Sequence, residues 1–256
     1  MSASKRAGGA NVITKVARAA VFPALALAAT GFGMLAGPAA TASAADNACA
    51  DVEVVFARGT FEAPGIGATG QAFVDALKDR LPGKSVDVYA VNYPASLDFA
   101  QAAAGIADAS NRIQTVAAQC PTTDIVLGGY SQGAAVAGYT TTSSLPAGYT
   151  LPAGINGPMP AATASHVAAV VLFGTPKDWV VNLADRNAPP ITIGQSYVPK
   201  TMQLCATGDP VCFPGGLDRA AHSSYKSNGM AVQAADFAAR QVTGGSATVV
   251  QAAGAA

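Results

Sequence analysis

The sequence predicts an α/β fold, a three-layer α/β/α sandwich built on a central five-stranded, mainly parallel sheet. Five short apolar runs alternate with helix-like stretches along the chain, a pattern typical of a parallel sheet with helices on both faces. The runs are mostly continuous rather than alternating between apolar and polar residues, as expected for strands that are covered on both sides. Half of all residues are apolar and 12% are charged, so the chain can fill such a core.

Strands are expected where β-branched and aliphatic residues cluster between turn residues. Their predicted ranges are 52–57, 86–91, 125–129, 167–173 and 201–206. Helices are expected where apolar residues recur at helical spacing. Their predicted ranges are 67–81, 97–119, 132–140 and 230–242. The stretch 141–165 is rich in Gly, Pro and Thr, which predicts a surface loop over the functional site.

Residues 1–45 have the pattern of a secretory signal peptide. Basic residues without any acid precede an apolar stretch that ends in the small residues of GPAATASAAD, and cleavage is expected near Ala44 or Ala45. The alternative is a permanent anchor, but Pro23 and several glycines make this stretch a poor spanning helix. We therefore expect a secreted, extracellular monomer with no stable membrane anchor. Its single domain would cover 46–244, followed by a disordered tail at 245–256.

The charge balance bears on the class of partner. The chain has 15 basic and 15 acidic residues and a formal net charge of zero. Nucleic-acid binding depends on neutralising phosphates with clustered basic residues, so the sequence gives no electrostatic reason to expect a nucleic-acid partner. A small apolar or neutral substrate suits this composition better.

Four cysteines follow the signal peptide: Cys49, Cys120, Cys205 and Cys212. An even number in an exported protein predicts two disulfides, with three possible pairings. Cys205 and Cys212 bracket the turn-rich segment ATGDPV, which a local bridge could close, and this leaves Cys49 to pair with Cys120. The alternative is a metal site, but the spacings do not fit zinc and no histidine neighbours the cysteines. We predict no metal.

The segment GGYSQGAA, at 128–135, follows the third predicted strand. Its spacing of Gly129, Ser131 and Gly133 matches the nucleophile elbow, a sharp strand-to-helix turn that presents a serine for attack. The glycines allow a backbone turn that bulkier residues would obstruct. The pattern therefore predicts that Ser131 is a nucleophile.

A second glycine pattern, GIGATG at 65–70, matches the dinucleotide-binding fingerprint. About seven residues separate it from the first strand, where the fingerprint requires a tight turn. Asn92 also stands where a ribose-binding acid is expected. Close packing of a helix is the alternative explanation of these glycines, and we predict neither a nicotinamide nor another organic cofactor.

A serine nucleophile needs a base, and the chain contains two histidines, His166 and His222. His166 directly precedes the fourth strand, so it is expected at the sheet edge opposite Ser131. His222 follows the last strand in a loop and can return to the serine, within the hydrogen-bonding distance that a base requires. The sequence therefore favours His222 as the base.

Four aspartates lie between the serine and this histidine, which is the chain order of the elbow-type hydrolases. They are Asp178, Asp185, Asp209 and Asp218. Asp209 follows the last strand inside the loop between the third and fourth cysteines, and is expected to orient the imidazole. Asp178, which follows the fourth strand, is the alternative. Asp185 and Asp218 are interpreted as solvated carboxylates.

Four blocks in this order, FARGTFE, GGYSQGA, CATGDPVC and AHSSY, resemble the cutinase family, especially its secreted actinobacterial members. The resemblance spans about 48–242 and implies a small lidless α/β-hydrolase. It also implies a serine esterase that hydrolyses carboxylic esters through an acyl-enzyme, with Ser131 as nucleophile, Asp209 as acid and His222 as base. The implied oxyanion hole consists of the backbone N–H of Gln132 and the N–H and hydroxyl of Thr60.

One block departs from the family pattern. The segment FPGGLDRAA carries the charges of Asp218 and Arg219, where fungal cutinases are more apolar at the rim that meets insoluble substrate. This departure favours small or lipid-like esters over polymeric cutin. The alternatives are lipase or phospholipase activity at the same site, or a secreted hydrolase-fold protein that binds lipid without turnover.

Overall fold

The central sheet has five strands, and all of its pairings are parallel. The computed structural model describes residues 49–145, 150–151 and 154–244. Along the chain, the strands are β1 (Val52–Ala57), β2 (Val86–Ala90), β3 (Asp124–Tyr130), β4 (Val167–Phe173) and β5 (Thr201–Leu204). Across the sheet, they lie in the order β2-β1-β3-β4-β5. This architecture confirms the predicted α/β class. The predicted signal peptide at 1–45 and tail at 245–256 lie outside the described residues, so these boundaries stay predictions.

Helices cover both faces of the sheet. They are α1 (Gly67–Arg80), α2 (Ala102–Gln119), α3 (Gln132–Thr140), α4 (Asp178–Ala184), α5 (Arg219–His222) and α6 (Met230–Val242). Short 3-10 turns occupy Phe99–Gln101, Ala161–His166 and Val198–Lys200. None of the helices in the described part of the chain combines the length and the apolar character needed to cross a bilayer.

The strand β1 shows why the apolar runs are continuous. Val54 and Phe56 belong to the core that packs against α1 and α6, while Val55 and Ala57 belong to the core on the α2 and α3 side. All six residues of this strand are buried, because alternate side chains of a strand enter opposite layers. The one polar residue of this strand is Glu53. Its buried carboxylate is paired with a guanidinium, which compensates for the loss of water around the charge.

That pairing joins the sheet to α2. Both carboxylate oxygens of Glu53 accept hydrogen bonds from the Arg112 guanidinium, at 2.5 and 2.7 Å. A fork-to-fork geometry of this kind combines two charge-assisted hydrogen bonds. It offsets the cost of burying the carboxylate and fixes the position of α2 over β1.

Several predicted boundaries are wrong. The helix predicted at 97–119 begins five residues later, at Ala102. A 3-10 turn over Phe99–Gln101 precedes it, and Leu97 is 66% exposed. The helices α4 and α5 were not predicted, since segments of seven and four residues are too short to show a helical period. The predicted surface loop at 141–165 contains most of a 3-10 turn at its end, and its residues 146–149 and 152–153 lie outside the described part.

Two disulfides bind the loops to the core, and both predicted pairings are confirmed. Cys49–Cys120 joins the segment before β1 to the end of α2. Cys205–Cys212 closes the loop that follows β5. Although Asp209 lies close to Cys205 and Cys212, both sulfurs are held in the disulfide, so this group has no thiolate to offer a metal.

Candidate active site

A strained turn at the carboxyl end of β3 holds Ser131 in place. Its backbone φ of 55° and ψ of −118° are unusual for a residue with a side chain. A Cβ atom on Gly129 would lie 2.1 Å from the Gly133 carbonyl oxygen, and one on Gly133 would lie 2.0 Å from that of Ala57. Only glycine fits at these two positions, which explains the spacing seen in the sequence. The Ser131 amide also donates to the Phe173 carbonyl at 2.8 Å and so ties the turn to β4.

Three of the predicted side chains form a continuous hydrogen-bonded chain. Ser131 Oγ lies 2.9 Å from His222 Nε2. On the other side of the ring, His222 Nδ1 lies 2.9 and 2.8 Å from the two carboxylate oxygens of Asp209. Because a carboxylate can only accept, the neutral imidazole that fits carries its proton on Nδ1 and leaves Nε2 free to accept the serine proton.

Asp209 is fully buried and satisfied by several donors. Besides His222, the Tyr225 hydroxyl donates to Oδ2 at 2.5 Å and the Val211 amide donates to Oδ1 at 2.8 Å. Burial raises the pKa of this carboxyl, but its hydrogen bonds outweigh burial and hold the pKa below the usual value. Asp209 therefore stays ionised in its buried position and can stabilise a positive charge on the neighbouring imidazole.

His222 is the last residue of α5, rather than a loop residue as predicted. Asp218 caps this helix, because its carboxylate accepts from the Ala220 amide at 2.8 Å. At the other end, Tyr130, directly before the serine, donates its hydroxyl to the His222 carbonyl at 2.6 Å. The base is thus positioned through its own backbone, and Asp218 has a local structural role.

The alternative acid, Asp178, and the other histidine, His166, both lie away from the hydrogen-bonded chain at Ser131. His166 precedes β4, whose first residue, Val167, pairs with Ile125, whereas its last residue pairs with Tyr130 beside the serine. This puts His166 at the opposite edge of the sheet. Asp178 is the exposed first residue of α4, and no hydrogen bond connects it to the imidazole among the described residues.

The two predicted oxyanion donors lie in the turns that follow β3 and β1. Gln132 is the first residue of α3, where backbone N–H groups have no partner inside the helix and carry partial positive charge. Thr60 lies in the turn after β1. A Cβ on the preceding residue, Gly59, would lie 2.7 Å from the Tyr130 ring, so this turn packs directly against the elbow.

Two charged residues fix the turn that carries Thr60. Buried Arg58 donates to the Glu62 carbonyl at 2.9 Å and to the Tyr93 carbonyl at 2.6 Å. The Glu62 carboxylate in turn accepts from the Gly59 amide at 2.7 Å. These contacts tie the turn to the segment after β2, so that the backbone around Thr60 is set before any ligand binds.

The same Glu62 explains the second glycine pattern. Its other carboxylate oxygen accepts from the Ala68 amide at the start of α1, at 2.9 Å. A Cβ on Gly67 would lie 2.2 Å from this carboxylate, and one on Gly70 would lie 2.8 Å from the Phe56 ring. Gly67 and Gly70 therefore serve close packing, and a carboxylate of the chain itself occupies the helix start that a dinucleotide phosphate would need.

Sequence reasoning missed Tyr225, Tyr130, Arg58 and Glu62. All four lie inside or next to the quoted blocks FARGTFE, GGYSQGA and AHSSY. A signal was present, because a charged residue directly after an apolar strand and tyrosines beside the serine and histidine are unexpected without partners.

The parallel sheet and the hydrogen-bonded serine, histidine and aspartate define the class of protein, which is an α/β-hydrolase with a serine at its elbow.

Comparison with known proteins gives the family. The family model described as Cutinase matches residues 48–242. Carboxylesterase Culp1 of Mycobacterium tuberculosis is 46% identical over 215 residues, which cover 84% of this chain and 92% of that protein. Phospholipase Culp4 of the same organism is 43% identical over 237 residues, covering 93% and 95% of the two chains. The chain belongs to the cutinase family and is an ester hydrolase.

A solved structure agrees with this. Trichoderma reesei cutinase, in complex with a C11Y4 phosphonate inhibitor, is 33% identical, with a TM-score of 0.56. The match covers 76% of this chain and 77% of that one.

Proposed function

We propose that this protein is a secreted serine esterase that cleaves carboxylic esters through Ser131, His222 and Asp209. The observation that carries the proposal is the unbroken hydrogen-bonded chain from the buried carboxylate, through the imidazole, to the serine hydroxyl. Nucleophile, base and orienting acid each lie within the reach that this chemistry needs.

In the first step, Ser131 Oγ attacks the ester carbonyl carbon while its proton moves to His222 Nε2. The ionised Asp209 stabilises the imidazolium that forms and keeps the ring in the correct orientation. The imidazolium then gives the proton to the departing alkoxide, which leaves an acyl-enzyme. In the second step, His222 takes a proton from water as the water oxygen attacks the acyl carbonyl carbon. The imidazolium then returns this proton to Ser131 Oγ as the acid is released.

The negative charge that develops on the carbonyl oxygen is placed at the start of α3. The Gln132 amide is one donor, and the amide and hydroxyl of Thr60 supply the others. Donors that are already in place cost no reorganisation when the charge appears. The contacts of Arg58 and Glu62 support this role, since they hold the Thr60 turn from both sides.

Substrate and location are part of the same proposal. We expect small or lipid-like esters, and the relative named a phospholipase favours phospholipids as a second substrate class for the same site. Two disulfides fit an oxidising compartment outside the cell, in keeping with the predicted signal peptide. The complete serine, histidine and aspartate arrangement favours turnover over lipid binding alone.

The test is covalent labelling with a nitrophenyl alkylphosphonate, a reagent that attaches to an activated serine. We expect one phosphonyl group per molecule, on the peptide that contains Ser131, with loss of ester hydrolysis in proportion to labelling. Mass spectrometry of the digested protein measures this. Labelling at another residue, or unchanged hydrolysis after complete labelling of Ser131, would contradict the proposal.

Replacing Asp209 by asparagine is expected to lower kcat roughly 10⁴-fold, by analogy with other serine hydrolases. Asparagine has nearly the same size, but it carries no charge to stabilise the imidazolium, and its amide favours the wrong tautomer of His222. The measurement is turnover of a nitrophenyl ester by Asp209→Asn.

Asp178→Asn is the matched control, because Asp178 is exposed at the start of α4. We expect this variant to keep wild-type turnover. Wild-type activity in Asp209→Asn together with a crippled Asp178→Asn would show that the acid is misassigned.

A further inference from the structure

Phe61 lies in the turn after β1, directly after Thr60, and its backbone is in the left-handed region, with a φ of 65°. At this angle the Cβ atom crowds the neighbouring backbone, so a bulky residue is rare there. The Phe61 side chain is also 75% exposed, and packing within the protein therefore returns little for the strain. A side chain that is both strained and exposed indicates a function outside the folding of the chain.

The backbone alone does not account for the phenyl ring. The Phe61 amide donates to the Ala95 carbonyl at 2.8 Å, and this bond ties the turn after β1 to the segment that follows β2. Ala95 also has a positive φ, of 50°, so the two segments meet through two left-handed residues. Glycine at position 61 would form the same hydrogen bond without the steric cost, so the ring itself needs an explanation.

The ring forms part of the wall of an open groove between these two segments. The charges of Arg58 and Glu62, which line the groove, are hydrogen-bonded to the backbone groups described above. The surface that remains open belongs mainly to the Phe61 ring and to the exposed side chains of Pro64 and Pro94, so the groove suits an apolar group. The other described lining residues are Asn92, Tyr93, Ala95, Ser96 and Ala104.

The groove lies directly beside the two oxyanion donors of the proposed mechanism. Thr60 precedes Phe61, so their Cα atoms are about 3.8 Å apart. On the opposite wall, the Ser96 carbonyl accepts from the side-chain amide of Gln132 at 2.9 Å. An ester whose carbonyl oxygen lies between Thr60 and Gln132 can therefore extend one of its two arms over the Phe61 ring.

The open shape of the groove favours the alcohol arm of the ester. The alcohol leaves after the first step, whereas the acyl group stays on the serine until water has attacked. A site for the departing group must open to solvent, and the exposed ring of Phe61 lies at such an opening. An alkyl chain on the alcohol gains free energy when it covers the ring, while the ethyl group of an ethyl ester is too short to cover it.

We propose that this groove is the alcohol subsite of the enzyme and that the Phe61 ring packs against the alkyl portion of the alcohol. The inference rests on the proposed function, because it places the ester carbonyl at Ser131. Phe61 then determines selectivity for esters of longer, apolar alcohols. The strained conformation is retained because glycine, which would relieve it, offers no surface to the substrate.

The kinetic test varies one arm of the ester at a time. Hexyl acetate and ethyl acetate form the same acetyl-enzyme, so any difference in kcat/KM between them arises in the first step. We expect the ratio of kcat/KM for hexyl acetate to that for ethyl acetate to fall about fivefold in Phe61→Ala, as measured by titration of the released acid. The ratio for ethyl hexanoate to ethyl acetate should stay at the wild-type value. An unchanged first ratio, or a fall in the second ratio instead, would overturn the proposal.

A second variant separates the ring from the backbone. Phe61→Gly also removes the ring, but glycine adopts a φ of 65° freely. We expect the same loss of alcohol selectivity as in Phe61→Ala, together with a higher temperature of unfolding than that of Phe61→Ala. Loss of selectivity in Phe61→Gly alone would assign the effect to the backbone and overturn the proposal, and equal unfolding temperatures would refute the strain from which it is inferred.

Val232→Ala is the matched control for these measurements. Val232 is an exposed apolar residue of α6, and it does not line the groove. The variant removes exposed apolar surface at a distance from the groove and should keep both wild-type ratios. A loss of alcohol selectivity in Val232→Ala equal to that in Phe61→Ala would show that the effect is not specific to the groove, and would overturn the proposal.

A binding measurement separates this inference from the proposed mechanism. In the Ser131→Ala background, we expect saturation-transfer NMR to show contact between the protein and the hexyl protons of hexyl acetate. Adding Phe61→Ala should weaken this signal, and adding Val232→Ala should not. Absence of the signal, or equal signals in both double variants, would overturn the alcohol subsite even if Ser131 is the nucleophile. If the signal behaves as expected while Ser131→Ala hydrolyses esters like wild type, the subsite is supported and the nucleophile assignment fails.

Discussion

Replacing Ser131 with alanine is expected to lower ester turnover by about 10⁴- to 10⁶-fold, the range seen when a triad serine is removed. No other described hydroxyl lies within hydrogen-bonding distance of His222 Nε2, so the variant has no substitute nucleophile at this position. The residual rate would come from substrate binding and the oxyanion donors. The measurement is kcat/KM for a nitrophenyl ester, with enzyme produced in a host free of contaminating esterase.

The fold of this variant should remain intact. The Ser131 amide keeps its hydrogen bond to the Phe173 carbonyl, and the required positive φ is as accessible to alanine as to serine. The half-buried hydroxyl contributes little packing, so circular dichroism spectra and thermal unfolding should resemble those of the wild type. A variant that folds and retains most of its activity would refute Ser131 as the nucleophile.

The sequence was sufficient for the strands that lie between two helix layers. β1 and β4 have the predicted bounds. Both faces of these strands are covered by helices, so their residues are apolar apart from the ion-paired Glu53, and the change to polar or turn residues marks where each strand ends. The start of α2 could not be predicted in the same way. Leu97 is apolar yet exposed, and the composition of a segment does not reveal whether a neighbouring element covers it.

For the site, topology supplied more than composition did. Parallel strands bring their carboxyl ends to one edge, so the position of Ser131 after β3 and of Asp209 and His222 after β5 was enough to predict that the three residues lie at the same edge. The support from Tyr225 and Arg58 depends on side-chain direction and on the path of irregular loops. Tyr225 lies 16 residues from Asp209, and no periodic pattern links two such positions.

Replacing His222 with alanine is expected to reduce turnover about 10⁶-fold, close to the loss for the serine, because the two residues act as one unit. In the wild type, His222 Nε2 lies 2.9 Å from Ser131 Oγ. Without the imidazole, no described group lies close enough to Ser131 Oγ to accept its proton. Asp209 would keep its hydrogen bonds from Tyr225 and Val211, so the buried carboxylate remains partly satisfied. The variant should therefore fold, with somewhat lower stability than the wild type.

His166→Ala is the matched control and is expected to keep wild-type turnover. The residue stands before β4, and seven strand residues at about 3.3 Å each separate it from the edge where Ser131 lies. This distance of roughly 23 Å is far beyond the reach of proton transfer. Kinetics of both variants with the same nitrophenyl ester decide the matter. If His166→Ala loses activity while His222→Ala keeps it, the base lies at the other edge of the sheet, and the direction of the strands relative to the elbow is wrong.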